Sequence, residues 1–151
     1  MLADYLTPER VRLQVDVPDW RGAVRAGGEL LVESGLCEAR YVEAMVRAVE
    51  QLGPYMVLAP GIALAHARPE DGVLEIGMSI VTLATPVDFG SEANDPVKLV
   101  IAFGGVDKSS HIAMLQGLAK FLMTESNQEL LKTADDVAQV MRAIHAPQEA
   151  E

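Results

Sequence analysis

A chain of 151 residues is one domain's worth of sequence and long enough to bury a substantial core. Half of it is hydrophobic and it carries 12 glycines, which suits a compact α/β protein and excludes a disordered one. The formal net charge of −10 repels nucleic acid and anionic lipid, so neither is an expected partner, whereas a basic or electrostatically guided protein is compatible with it.

The single cysteine, Cys37, cannot close an internal disulfide, which fits a reducing cytoplasm. Its place beside Leu36, between two helical patterns, reads as a packed or capping position. The first residues, Met-Leu-Ala-Asp-Tyr-Leu-Thr-Pro-Glu, lack the charged leader and apolar run of a signal peptide. No apolar run reaches the length of a membrane span, so no direct membrane insertion is expected.

Residues 1–10 read as a loosely held lead-in. Val11, Leu13, Val15 and Val17 alternate with polar residues, predicting a half-buried strand that ends at Pro18. Asp19 is placed to cap a helix whose apolar side holds Trp20, Val24, Leu30 and Leu31. Gly27-Gly28 inside it implies close packing against another element, since each glycine there costs about 1 kcal/mol relative to alanine. Gly35 suits the helix exit. Tyr41, Val42, Met45, Val46, Val49 and Leu52 recur at helical steps over residues 38–52, until Gly53-Pro54 stops the pattern. Residues 55–59 follow as a strand.

Residues 73–83 are the longest strand-like run, broken by Ala84-Thr85-Pro86, and Asn94-Asp95-Pro96 is a turn. Residues 97–103 are nearly continuously apolar, as a central strand covered on both faces should be. A helix over residues 110–123 places His111, Leu115, Leu118 and Leu122 on one stripe. Ser126 is placed to cap a short helix carrying Leu130 and Leu131. A last helix over residues 134–144 turns Val137, Val140, Met141 and Ile144 inward. His145 and residues 146–151 read as a loose, solvated tail. No repeat or linker divides the chain.

The chemistry concentrates in residues 58–72. Pro60-Gly61 makes a type II turn, proline fixing φ at the first corner and glycine accepting positive φ at the second. Ile62, Leu64 and His66 then alternate with Ala63 and Ala65, so His66 falls on the Ile/Leu side where the strand runs out. Arg68 precedes Pro69, which keeps it extended, and shares a face with His66. A lone histidine beside an apolar strand is ordinarily a hydrogen-bonded structural residue. An imidazole at a strand end beside a guanidinium can also attack, and then hold, a phosphoryl group. The second candidate, His111, lies in the first turn of its helix, where free amides and the macrodipole favour an anion and a neutral ring. If residues 97–103 pair near residues 62–65, one anion could touch His66, Arg68, His111 and the amides of Ser109 and Ser110.

Other chemistry finds little support. There is no phosphate-cradling Gly-x-x-x-x-Gly-Lys, no Gly-x-Gly-x-x-Gly, and no serine elbow. Three histidines and one cysteine, none at zinc spacing, give no expected metal site, and no cofactor is expected.

The run from Gly53-Pro54-Tyr55 through Pro60-Gly61-Ile62-Ala63-Leu64-Ala65-His66-Ala67-Arg68-Pro69-Glu70-Asp71-Gly72 resembles the enzyme IIA domain of the bacterial sugar phosphotransferase system. Asn94-Asp95-Pro96-Val97-Lys98-Leu99-Val100, Ser110-His111-Ile112, and the helix before Tyr41-Val42-Glu43-Ala44-Met45 extend the resemblance over nearly the whole chain. The likeness is to the mannitol/fructose superfamily and most of all to its ascorbate-type branch.

That resemblance implies a single α/β domain over residues 1–151, a sandwich with a mostly parallel mixed β-sheet flanked by helices on both faces. It implies a cytoplasmic phosphocarrier in which His66 accepts phosphate from phospho-HPr and passes it to a cysteine of an enzyme IIB partner. The membrane permease is reached indirectly through enzyme IIB, and ascorbate or a related sugar is phosphorylated during uptake. His111 matches the family's second histidine, and Arg68 is the candidate countercharge. A homodimer is left open. The alternative from a different class is a regulatory module signalling through phosphorylation-dependent protein contacts. Two features depart from the family: Ala65 stands where proline usually precedes the active histidine, and the stretch Ala48-Val49-Glu50 stands where mannitol-like members carry arginine. Arg47 is a second candidate for that charge.

Overall fold

A computed structural model describes residues 2–146. Strand β1 (Val11–Val15) leads into helices α1 (Trp20–Glu33) and α2 (Ala39–Leu52). Strands β2 (Val57–Ala59), β3 (Ile62–Ala65), β4 (Gly77–Val87) and β5 (Val97–Gly104) follow. Helices α3 (Lys108–Leu122), α4 (Glu125–Thr133) and α5 (Val137–His145) close the fold.

The five strands form one mixed sheet in the order β1-β4-β5-β3-β2. The β1/β4 and β3/β5 pairings are parallel; β4/β5 and β2/β3 are antiparallel. β5 is central and buried along almost its whole length, and its side chains divide by the period of two. From Leu99 onward, Val100 and Ala102 join the core under α1 and α2, while Leu99, Ile101 and Phe103 join the core under α3, α4 and α5; Val97, at the strand's start, lies outside this alternation and joins the first core. Helices therefore cover both faces, as the α/β sandwich expected from the sequence requires.

The two glycines inside α1 face different neighbours. A Cβ on Gly27 would stand 3.0 Å from the Ala102 Cβ on the sheet, and one on Gly28 would stand 2.8 Å from Val42 Cγ2 on α2. The close packing read from the pair is thus real on both sides of the helix. Asp19 caps α1 by accepting from the Gly22 amide at 3.0 Å, and Gly61 takes the positive φ, +76°, that its turn needs. Cys37 is buried, and that burial pushes its thiol up to about 11.

Several elements differ from the sequence reading. Residues 2–10 form two short 3-10 turns that bury Leu2 and Leu6, so this segment is packed where the sequence suggests a loose lead-in. β4 starts at Gly77 because residues 73–75 are held by the 36–37 turn: Val73 bridges Cys37, and the Leu36 carbonyl accepts from Leu74 and Glu75. It then runs through Ala84-Thr85-Pro86, resuming with Val87 opposite Val97 after a register shift. The buried stripe of α3 is Met114, Leu118 and Phe121 rather than one through Leu115 and Leu122. The cap expected from Ser126 does not form: Ser126 lies inside the first turn of α4, whose N-cap Thr124 makes no side-chain cap bond, whereas Asp107 and Asp136 cap α3 and α5. His145 is the last residue of α5 and exposed; the expected tail beyond Ala146 lies outside the described residues.

Candidate active site

β3 and β5 are parallel neighbours, paired in register from Ile62↔Leu99 to Ala65↔Ala102. The carboxyl ends of such strands are where an open α/β sheet presents a crevice. His66 follows the last residue of β3 directly. It keeps the parity of Ile62 and Leu64, so its ring lies on the face of Phe103, stacked at 5.0 Å between centroids and 18° between planes. Tyr55 meets the same imidazole edge-on at 5.8 Å. The ring is half-buried.

The tautomer follows from one contact. His66 Nδ1 lies 3.0 Å from the Leu64 carbonyl oxygen, which can only accept, so Nδ1 carries the proton and Nε2 keeps its lone pair. Burial holds the pKa below the ordinary 6.5; the Leu64 carbonyl opposes this and the nearby His111 adds to it. At neutral pH the ring is uncharged.

His66 and Arg68 line one cleft of about 380 Å³ with Arg47 and Gln51 of α2, Tyr55 and Asp71. Arg68 is extended, at φ −83° and ψ 151°, ahead of a 3-10 turn over Pro69–Asp71. Its amide donates to Asp71 Oδ2 at 3.1 Å, which fixes the turn without engaging the guanidinium. Neither Arg68 nor Arg47 has a carboxylate within ion-pair distance among the described residues. Two free cations therefore share the cleft with a neutral imidazole.

His111 packs against the same phenyl ring, its own ring 5.5 Å from the Phe103 centroid and tilted by 46°. It is seated against Gly105, where a Cβ would fall 3.0 Å from His111 Nδ1. It does not line the Arg47/Arg68 cleft. The expected anion contact at the start of α3 is not available either. Asp107 accepts from the Ser110 amide at 2.8 Å and from the Ser110 hydroxyl at 3.0 Å, and these bonds lower its pKa. A carboxylate already occupies the positive end of that helix and repels a second anion.

The family model for the phosphoenolpyruvate-dependent sugar phosphotransferase system, EIIA 2, matches residues 4–146. The chain belongs to that family. It is 40% identical over 146 residues to an ascorbate-specific PTS system EIIA component of Shigella boydii, covering 95% of this chain and 94% of that one. The fold is similar to a mannitol-specific cryptic phosphotransferase enzyme IIA of Escherichia coli, with a TM-score of 0.86 at 34% identity over 95% and 97% of the two chains. It is also similar to Escherichia coli enzyme IIA for mannitol in complex with phosphorylated enzyme IIB, with a TM-score of 0.80 at 31% identity over 92% and 96%. This EIIA is accordingly a phosphotransferase. Among its described residues no helix is long and apolar enough to cross a membrane.

Three further groups of the candidate site escape a reading of the sequence. Phe103 and Tyr55 frame the imidazole. Tyr41, fully buried on α2, donates its hydroxyl to the Phe103 carbonyl at 2.7 Å and accepts from the Ala67 amide at 3.0 Å. The helical stripe marks Tyr41 only as core. The signal that singles it out is chemical: a buried phenol must pair its hydroxyl. Leu52, the last residue on the same stripe, is instead 70% exposed at the rim of the cleft.

Proposed function

We propose that this EIIA chain carries phosphate on His66, accepting it from the phosphohistidine of HPr and passing it to a cysteine of an enzyme IIB partner. What supports this most is the Nδ1–Leu64 contact, which leaves Nε2 unprotonated beside two unpaired guanidiniums. The Nε2 lone pair attacks phosphorus, the bond to the donor imidazole breaks, and that imidazole keeps the electron pair. Nδ1 retains its proton, so the product ring is cationic and the Leu64 carbonyl stabilises it. Arg47 and Arg68 hold the phosphoryl oxygens, where positioning and charge matter more than covalent help. His111 tunes the neighbouring ring. In the second step a thiolate attacks phosphorus and the pair returns to Nε2. The 40% identity to an ascorbate-specific component favours ascorbate or a related sugar as the cargo of the pathway, with the protein acting in the cytoplasm.

The test is labelling with phosphoenolpyruvate, the general phosphotransferase enzyme and HPr. One acid-labile, base-stable phosphate is expected on the chain and none on His66→Gln. A His66→Gln variant that labels as well as the parent removes His66 as the acceptor. His111→Ala should label more slowly but to completion.

A further inference from the structure

We infer that the Tyr41 hydroxyl is a positioning group for His66: it sets the spacing between the ends of β3 and β5, and so the seat of the imidazole on Phe103. The in-register ladder stops at Ala65↔Ala102. The next backbone groups across the gap are the Ala67 amide and the Phe103 carbonyl, and both end on the Tyr41 oxygen, at 3.0 and 2.7 Å. The hydroxyl is thus spliced into the place of a ladder hydrogen bond and holds the strands apart by the width of one oxygen. Ala67 is the residue after His66, and Phe103 is the residue whose ring the imidazole stacks on. One buried atom therefore fixes both members of that stack through their backbones, from the opposite face of the sheet.

The alternative is that Tyr41 only fills the core. A phenyl ring would fill it equally well, so the two roles separate at the oxygen. Without it, the buried amide and carbonyl cannot stay unpaired. Either the strand ends close to bond directly or water enters between them, and each moves His66 relative to Phe103 and Nε2 relative to the cleft. The kinetic part of the effect rests on the phosphocarrier reading; the geometry of the ring does not.

Tyr41→Phe is the test, with Ser79→Ala as its control, because Ser79 donates an equally buried hydroxyl to the Gly27 carbonyl away from the site. In Tyr41→Phe the rate of labelling at saturating phospho-HPr should fall by about ten- to a hundredfold, with the half-saturating concentration nearly unchanged, the cost of a misplaced reacting atom. Histidine NMR should show the His66 titration move toward its ordinary position. The groups facing that ring, Arg47, Tyr55, Arg68, Asp71 and His111, are unaltered by the substitution. Ser79→Ala should leave both readouts in place. Unchanged labelling and titration in Tyr41→Phe, or equal changes in both variants, would overturn the inference. If the parent chain fails to label at all, the phosphocarrier reading falls while the titration still decides Tyr41. If Tyr41→Phe does not fold, the parent decides: its Tyr41 hydroxyl proton should exchange slowly and show a cross-peak to the Ala67 amide, and a hydroxyl proton lost to bulk water rejects the bridge.

Discussion

Three small effects set the state of the His66 ring. Burial favours the neutral ring, the Leu64 carbonyl chooses which nitrogen keeps the proton, and Phe103 fixes the plane. The lowered pKa has a consequence for stability. Unfolded, the ring takes a proton near its ordinary 6.5; folded, it does so only at lower pH. Between those values the unfolded chain binds more protons, so His66 should make the fold less stable as pH falls through 6.5. The contribution is fully present above that pH and levels off below the folded pKa. Urea midpoints of the parent and His66→Gln from about pH 8 to about pH 5 should diverge in shape across this window, with the parent falling more steeply. Parallel curves would mean that the folded ring titrates normally. At this scale the sequence was informative about what the local alternation dictates: His66 on the Ile/Leu side and Arg68 extended before Pro69. It was silent on Tyr41, Tyr55 and Phe103, whose roles arise only when residues 41, 66 and 103 are brought together by pairing across the sheet.

The elements owe their positions to close backbone approaches as much as to apolar stripes. α1 lies against both the sheet and α2 because Gly27 and Gly28 present no side chain to either. A methyl at position 28 would sit 2.8 Å from Val42 Cγ2 and 3.0 Å from Met45 Cε. Gly28→Ala should therefore destabilise by about 1–3 kcal/mol despite alanine's better helix propensity. An increase in thermal midpoint would show that α2 can shift at no cost. The displacement would pass along α2, which carries Tyr41 and Arg47, so slower labelling should accompany the lost stability. Helix and strand identities were legible because each has a strong period, 3.6 in α1 and α2 and 2 in β3. Boundaries failed where a tertiary partner competes. The segment over residues 73–76 has the composition of a strand, but the Leu36 carbonyl takes two of its amides. In α3 a row of leucines drew attention away from Met114 and Phe121, because only the helix's rotation against β5 decides which of two adjacent apolar rows is buried.

For the whole molecule, a five-stranded sheet with helices on both sides needs two cores, and the second is closed by an unexpected piece. Under α3, α4 and α5, Leu2 and Leu6 are 4% and 3% exposed and join Met78, Ile80, Met114 and Phe121 in one apolar cluster. The segment is also tied by backbone: the Tyr5 carbonyl accepts from the Met78 amide and from an Arg10 guanidinium nitrogen, both at 3.2 Å. Ten residues with two leucines show no period, so the pattern that reveals longer elements is missing here. If the packing governs stability, Leu6→Ala should cost about 2–5 kcal/mol, the range for emptying a buried leucine site. Leu58→Ala, at a side chain 65% exposed on β2, should stay within about 0.5 kcal/mol. Denaturant titrations of the two variants make the comparison, and equal midpoints would return residues 2–10 to the status of a dispensable lead-in. Because Leu6 lies in the cluster that also holds Phe103, Leu6→Ala carries a second readout. If the His66 platform is held chiefly by β5 and Tyr41, the folded variant should still label at a rate close to the parent's, and loss of stability and loss of phosphate transfer should separate.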